Sequence, residues 1–318
     1  MAAQRKSGSR REWDWTDVDG VRRRLDQDAL PEGWSVERLL HRAATLASPE
    51  VVAELARRVA DVDTTEDGVT ALWEAVVSGR PDNARALADA GADPWRRSIG
   101  GWSPGRLSLA GPTPALFAVP DGERLTGAER AAAEEAARLI AALGDFFHDG
   151  TGLACVAGID AAEAIRRLAA TPARQEDVDE LPAGPRAHGM DENPEIIGVT
   201  SVPGGCVVTQ PWGYAPQMPG VLTRLSAGTV CYGLYANPKS GDQGSIARDG
   251  SVEGRDLHPG GGPDEGDSSE EVLASYLYQG NAVAYSCSFA GLRPADARAV
   301  VGPPDRWVRL PRRDCWDD

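Results

Sequence analysis

Gly101-Trp102-Ser103-Pro104-Gly105 spells GxSxG, the pattern in which a serine nucleophile stands on a tight strand-to-helix turn. Such a serine needs an apolar strand before it, with histidine and an acid later in the chain. The preceding segment, Trp95 to Gly100, is polar, so Ser103 is not expected to be a nucleophile. The run Asp61-Val62-Asp63-Thr64-Thr65-Glu66-Asp67-Gly68 is rich in oxygen, as a calcium loop is. Its sixth position is Glu66 and its twelfth Leu72, where that loop requires glycine and glutamate. The four histidines, His41, His148, His188 and His258, fall outside HxxxH and HExxH spacing, and no phosphate-cradling glycine motif is present. His148 and His258 could meet only through the fold. Asp264-Glu265-Gly266-Asp267, with Glu270 and Glu271, reads as a solvated loop ahead of a helix whose positive end favours acids. Cys155, Cys206, Cys231, Cys287 and Cys315 are scattered and lack CxxC spacing, so a disulfide framework or a zinc site is not expected. Four of them, among small or apolar neighbours, are expected as buried thiols. The expectation is no catalytic residue, no metal and no cofactor.

The elements that would hold these residues repeat. Leu40-His41-Arg42-Ala43-Ala44 belongs to one helix, and Ser48-Pro49-Glu50 opens a second, with proline suited to the first turn. Shifted by 32 residues, Leu40 falls on Leu72, Ala43 on Ala75, Leu55 on Leu87 and Asp61 on Asp93. Shifted by 33, Gly68 falls on Gly101 and Thr70 on Ser103. Self-similarity at this period marks stacked helix pairs. The central copy reads Asp67-Gly68-Val69-Thr70-Ala71-Leu72-Trp73-Glu74-Ala75, then Gly79, Ala86-Leu87 and Gly91-Ala92-Asp93-Pro94. It resembles an ankyrin repeat. Gly68 tolerates a positive φ in the turn, and Thr70 can accept from a free amide where the helix starts. The family's Pro-Leu-His is Ala71-Leu72-Trp73 here. The third copy has Gly105 where leucine belongs and fades by Thr113, as a degenerate cap would. The resemblance covers about residues 33–115 and implies a protein-binding surface.

Nine tryptophans are many for 318 residues. Trp73 and His41 are expected inside the stack. Trp95 and Trp102, with Arg96 and Arg97, form an aromatic–arginine cluster of the kind enriched at binding hot spots. In the ankyrin family this loop region faces the concave surface, where Glu74 and Val77 would add to the contact. The competing reading is that both tryptophans seal the stack.

Before the stack, residues 1–32 read as a tail and a short helix from Asp17 to Leu30, closed by Pro31 and Gly33. After it, residues 116–150 connect through a long helix, from Thr126 to about Phe147, with a Thr126–Glu129 capping box. Residues 151–318 read as an α+β domain with an antiparallel sheet. Its strands are Leu153–Ala157, a hairpin about Pro203-Gly204-Gly205, Val230–Tyr235, and a hairpin about Asp249-Gly250. Asp160 opens a helix, residues 172–194 are a loop, and Ser268 or Ser269 caps a last helix running to Ala284. Gly158-Ile159-Asp160, the Val199 to Gln210 hairpin and Leu225-Ser226-Ala227-Gly228 resemble an uncharacterised domain family common in actinobacteria, which implies a fold and no chemistry. The expected fold class is thus a helical ankyrin stack followed by an α+β domain.

A net charge of −15 argues against nucleic acid, whose phosphates need clustered cations, and would steer a basic partner. No apolar run of 18 residues exists, and Met1 to Arg11 leads into Glu12-Trp13-Asp14-Trp15 rather than a signal core. The expectation is a cytoplasmic, non-enzymatic protein with no membrane contact, which binds another protein through its repeats. Its alternatives are an immunity-type inhibitor of a toxin, or a small-ligand or enzymatic α+β domain with a site near Trp212-Gly213-Tyr214.

Overall fold

A computed structural model describes residues 13–30, 32–181 and 195–312. The chain divides into two compact units, Met1–Glu129 with Gly262–Tyr276, and Arg130–Gly261 with Leu277–Asp318.

The first unit begins with α1 (Val18–Asp26), whose Asp17 side chain accepts from the Gly20 amide. Two helix pairs follow, α2 (Val36–Leu46) packed on α3 (Pro49–Ala56), then α4 (Ala71–Val77) on α5 (Pro81–Asp89). Between the pairs lies a short hairpin, β1 (Thr65–Glu66) and β2 (Val69–Thr70). Its two-residue connection, Asp67 at φ 49° and Gly68 at φ 80°, has the double positive φ that asparagine-glycine and aspartate-glycine turns supply. A further helix, α6 (Pro104–Ala110), starts after a 3-10 turn at Ile99–Gly101. Each start is built alike. The Ser35, Thr70 and Ser103 hydroxyls accept from the amides of Arg38, Trp73 and Arg106, each at 3.2 Å. Each such cap stabilises its helix by about 1 kcal/mol. Ser48 occupies the same position before α3 without a side-chain bond to a helix amide. Ala43, Ala44, Ala71, Ala75 and Ala84 are fully buried, so helix backbones approach closely, and Leu39, Leu55, Leu72 and Leu87 fill the space between them. Buried Asn83 ties α5 to the end of α2, its amide donating to the carbonyls of Ala44 at 2.9 Å and Ala47 at 3.0 Å.

The chain then forms α7 (Gly127–Leu143), which opens with the expected reciprocal cap. The Thr126 amide donates to Glu129 at 2.7 Å and the Glu129 amide to the Thr126 hydroxyl at 3.2 Å. The helix is four residues shorter than expected at its far end, where Gly144 takes φ 69°. There follow β3 (Gly152–Ala157), α8 (Ala161–Leu168), β4 (Thr171–Pro172), α9 (Gln175–Asp179), β5 (Ile196–Val202), β6 (Gly205–Gln210), α10 (Pro219–Leu225), β7 (Val230–Asn237), β8 (Gly241–Arg248) and β9 (Ser251–Asp256). Then come α11 (Ser269–Leu277), α12 (Ala282–Phe289), α13 (Arg298–Val301) and β10 (Arg306–Arg309). Eight strands make one sheet in the order β4-β10-β5-β6-β3-β7-β8-β9, with every neighbouring pair antiparallel.

Both faces of that sheet are covered, which explains why β3 reads as a continuous apolar run rather than an alternation. Leu153 and Cys155, with Val207, Tyr232 and Leu234, pack under α7, α12 and α13. Ala154 and Val156, with Cys206 and Val208, pack under α8 and α10. The mixed α and β content and the antiparallel sheet agree with the sequence reading. Three particulars differ from it. The expected last helix is two, α11 and α12, parted by Gly280 at φ 72° and Asn281. The residues 172–181 carry β4 and α9 rather than loop alone, while 182–194 lie outside the described residues, as do the 1–12 tail and Pro31. Finally, Gly262–Tyr276 belongs to the first unit, although the sequence reading placed it in the second.

Candidate functional site

The cluster expected to meet a partner is partly used by the fold. Trp102 is fully buried, and its indole N–H donates to the Ser269 carbonyl at 2.8 Å and hydroxyl at 2.9 Å. The Arg106 guanidinium lies over its ring at 4.5 Å. It therefore seals the stack against α11 and is not a surface contact. The physical reason is that α6 lacks a second helix of its own, and α11 covers the face that would be left bare. Two glycines fit that helix closely. Gly100, at φ 57°, lies against Val272 and Ser269, and Gly111 lies under the Tyr276 hydroxyl.

Trp95 is half-buried, its ring against Gly105 and its indole N–H donating to the Ala118 carbonyl at 3.2 Å. Arg96 is exposed, yet donates to the Asp63 carbonyl at 2.9 Å. Together with the Asp93 amide, which donates to the Asp63 carboxylate at 3.1 Å, this bond joins one turn of the stack to the next. Two acids of the calcium-like run thus hold backbone amides: Asp61 accepts from Asp63 at 2.9 Å as Asp63 does from Asp93. Among the described residues no group of three or more His, Cys, Asp or Glu is placed to hold a metal. Arg97 stays 68% exposed, with Glu123 at 3.8 Å. Ser103 spends its oxygen on the α6 cap and is itself buried.

Glu74 and Val77 lie on α4 and are half-buried. Glu74 sits 3.4 Å from Nδ1 of His41, a fully enclosed residue of α2 whose Nε2 is 3.0 Å from the Thr64 carbonyl. Burial alone would lower the pKa of His41. The Glu74 contact, the Thr64 carbonyl and the Glu74 and Glu66 charges outweigh it, and the net shift is upward.

In the second unit, Trp212 takes φ 50° and packs against Gly150, and Tyr214 meets Tyr235 edge-on at 6.0 Å. Tyr235 and Asp242 pair in adjacent register on β7 and β8, which turns them to opposite faces of the sheet. Burial pushes the Asp242 carboxyl up against the opposing pull of His148. A cavity of about 70 Å³ opens beside His148, between Ile140, Leu143, Phe146 and the start of α12. The Tyr232 hydroxyl donates to Asp256 at 2.6 Å inside the aromatic group of Tyr285 and Phe289. His258 follows on the same strand end, its amide donating to Asp256 at 2.9 Å. His188 and Cys315 lie outside the described residues.

Sequence reasoning missed the pairing of His41 with Glu74 and the use of Ser269 by Trp102. A signal for the second was present in Ser268-x-x-Glu271, a reciprocal cap formed at 2.8 Å and 3.3 Å. No local pattern, however, says which face α11 covers. Set beside known proteins, no family model matches this chain, and no curated protein and no solved structure matches it.

Proposed function

We propose that residues 33–115 form an ankyrin-type stack completed by α11, and that this unit binds a protein partner in the cytoplasm rather than catalysing a reaction. The observation that carries the reading is the recurrence of one local device, a hydroxyl-capped helix start behind a positive-φ turn glycine, at Gly68–Thr70 and again 33 residues later at Gly101–Ser103. Bonds from Asp93 and Arg96 to Asp63 link the turns into one continuous edge, as a stack that presents its loops requires. The contact surface comprises Arg97, Arg96, Trp95, Val77 and Glu74, without Trp102. The charge of −15 draws basic partners at long range, while the Arg97 guanidinium supplies a directed local donor.

Arg97→Glu tests the surface with little risk to the fold, because that side chain is exposed and, among the described residues, holds only a long contact to Glu123. Tagged full-length chain would be crosslinked in extract and the captured protein then purified for titration. The expected result is an affinity loss of about tenfold or more, the scale of an interfacial arginine. Unchanged affinity for the same partner, with unchanged melting, would remove this surface.

A further inference from the structure

His41 is a buried group whose hydrogen bonding depends on its protonation state in a way the fold makes explicit. A carbonyl can only accept, so the bond to Thr64 places a hydrogen on Nε2. In the neutral ring Nδ1 is then a bare lone pair, buried without a hydrogen-bond partner and facing a Glu74 oxygen at 3.4 Å. Two acceptors oppose each other across a contact between the first and second helix pairs. Protonation turns Nδ1 into a donor, and the same geometry becomes an ion pair.

We propose that His41, Glu74 and the Thr64 carbonyl form a proton-operated staple between α2 and α4, closed when His41 is an imidazolium and opened by its deprotonation. Of the surrounding charges, Glu66 acts in the same sense. Glu66 approaches from β1, balanced by Arg38 of α2 at 3.5 Å. On α3, Glu54 is taken up by Arg22, Arg57 and Arg58, and on α5 Asp82 by Arg85. Arg80, at the start of α5, donates to the Ala47 carbonyl at 2.9 Å. The second acid beside the imidazole is therefore Glu66, partly neutralised, and Glu74 is the controlling partner. Because folding raises the His41 pKa, its stabilisation is complete below the ordinary value of 6.5 and is lost as pH rises through the folded value. Opening leaves Glu74 unpaired at the proposed contact surface; that consequence alone rests on the protein-binding reading.

The test is an imidazole NMR titration of the full chain, which has four histidines. His41 is assigned with His41→Gln, or by elimination with His148→Gln, His188→Gln and His258→Gln if that variant does not fold. The expected result is a His41 midpoint above 6.5 that drops below the wild-type value in Glu74→Gln, where burial meets less opposition. In parallel, wild-type thermal stability should fall as pH rises through that midpoint, and Glu74→Gln should lose this slope. A His41 midpoint at or below 6.5, or one that Glu74→Gln leaves in place, overturns the staple. No partner is present in either measurement, so failure here and failure of the binding proposal are separate results.

Discussion

At the residue scale, the side chains that look reactive in one dimension are mostly consumed by structure. Ser103, inside its GxSxG frame, is a helix cap, and its Oγ already accepts a backbone amide. The thiols are a sharper case. Cys155 is pushed well up, first by its contact with Cys287, whose sulfur is 3.7 Å away, and further by burial. Burial raises Cys206 to about 12, and Cys231 is raised by the same cause. A thiol reacts as its thiolate, so these groups should be inert while the chain is folded. Titration with a thiol-specific disulfide reagent is expected to find none of Cys155, Cys206, Cys231 and Cys287 in native protein, and all of them in denaturant. Rapid labelling of Cys206 in the native state would show that its cover opens. These buried thiols were legible from their small and apolar neighbours. The His41–Glu74 pair was not, because the partners lie 33 residues apart and no pattern links one histidine to one acid.

At the scale of elements, capping chemistry is the most readable feature of this chain, because a cap involves residues only three positions apart. Thr70→Ala removes the bond to the Trp73 amide at the start of α4, and should cost about 1 kcal/mol in denaturant unfolding. An unchanged midpoint would mean that water replaces the hydroxyl there. The fit of α11 onto α6 is a second test, and it concerns shape. A methyl group at Gly111 would overlap the Tyr276 hydroxyl, so Gly111→Ala should cost about 1–3 kcal/mol. Tyr276→Phe combined with it should restore part of that loss, since it removes the overlapping atom; a double-mutant cycle measures the coupling. Purely additive effects would show that α11 yields without strain. The helices α10 and α13 and the strand β10 escaped the sequence reading. Each is short, from four to seven residues, and too brief for an apolar period to declare itself.

For the whole molecule, the prediction concerns the segment that leaves one unit for the other. Gly262–Tyr276 supplies the indole acceptor for Trp102 and the cover for Gly100 and Gly111, so the first unit is not contiguous in sequence. Replacing residues 262–276 by a glycine-serine linker of equal length should expose Trp102 and lower the melting temperature of the first unit. The readouts are a red shift of tryptophan emission and a calorimetric scan. If both stay unchanged, α11 is dispensable to the stack. Among the described residues no helix is long and apolar enough to cross a membrane, which matches the absence of long apolar runs.

The sequence alone determined what depends on near neighbours: the 32–33-residue period, the proline and hydroxyl helix starts, the Asp67-Gly68 and Asp249-Gly250 turns, and the apolar run of β3. These follow from backbone torsions and hydrogen bonds among residues a few positions apart, and they are encoded locally. Tertiary structure decided which side chains remained available. Trp102 and Trp95 have the same type and nearly the same position in the chain, yet one is sealed beneath α11 and the other is half-open. What separates them is a helix more than 160 residues away, and burial is a property of the packed surface rather than of the residues beside it.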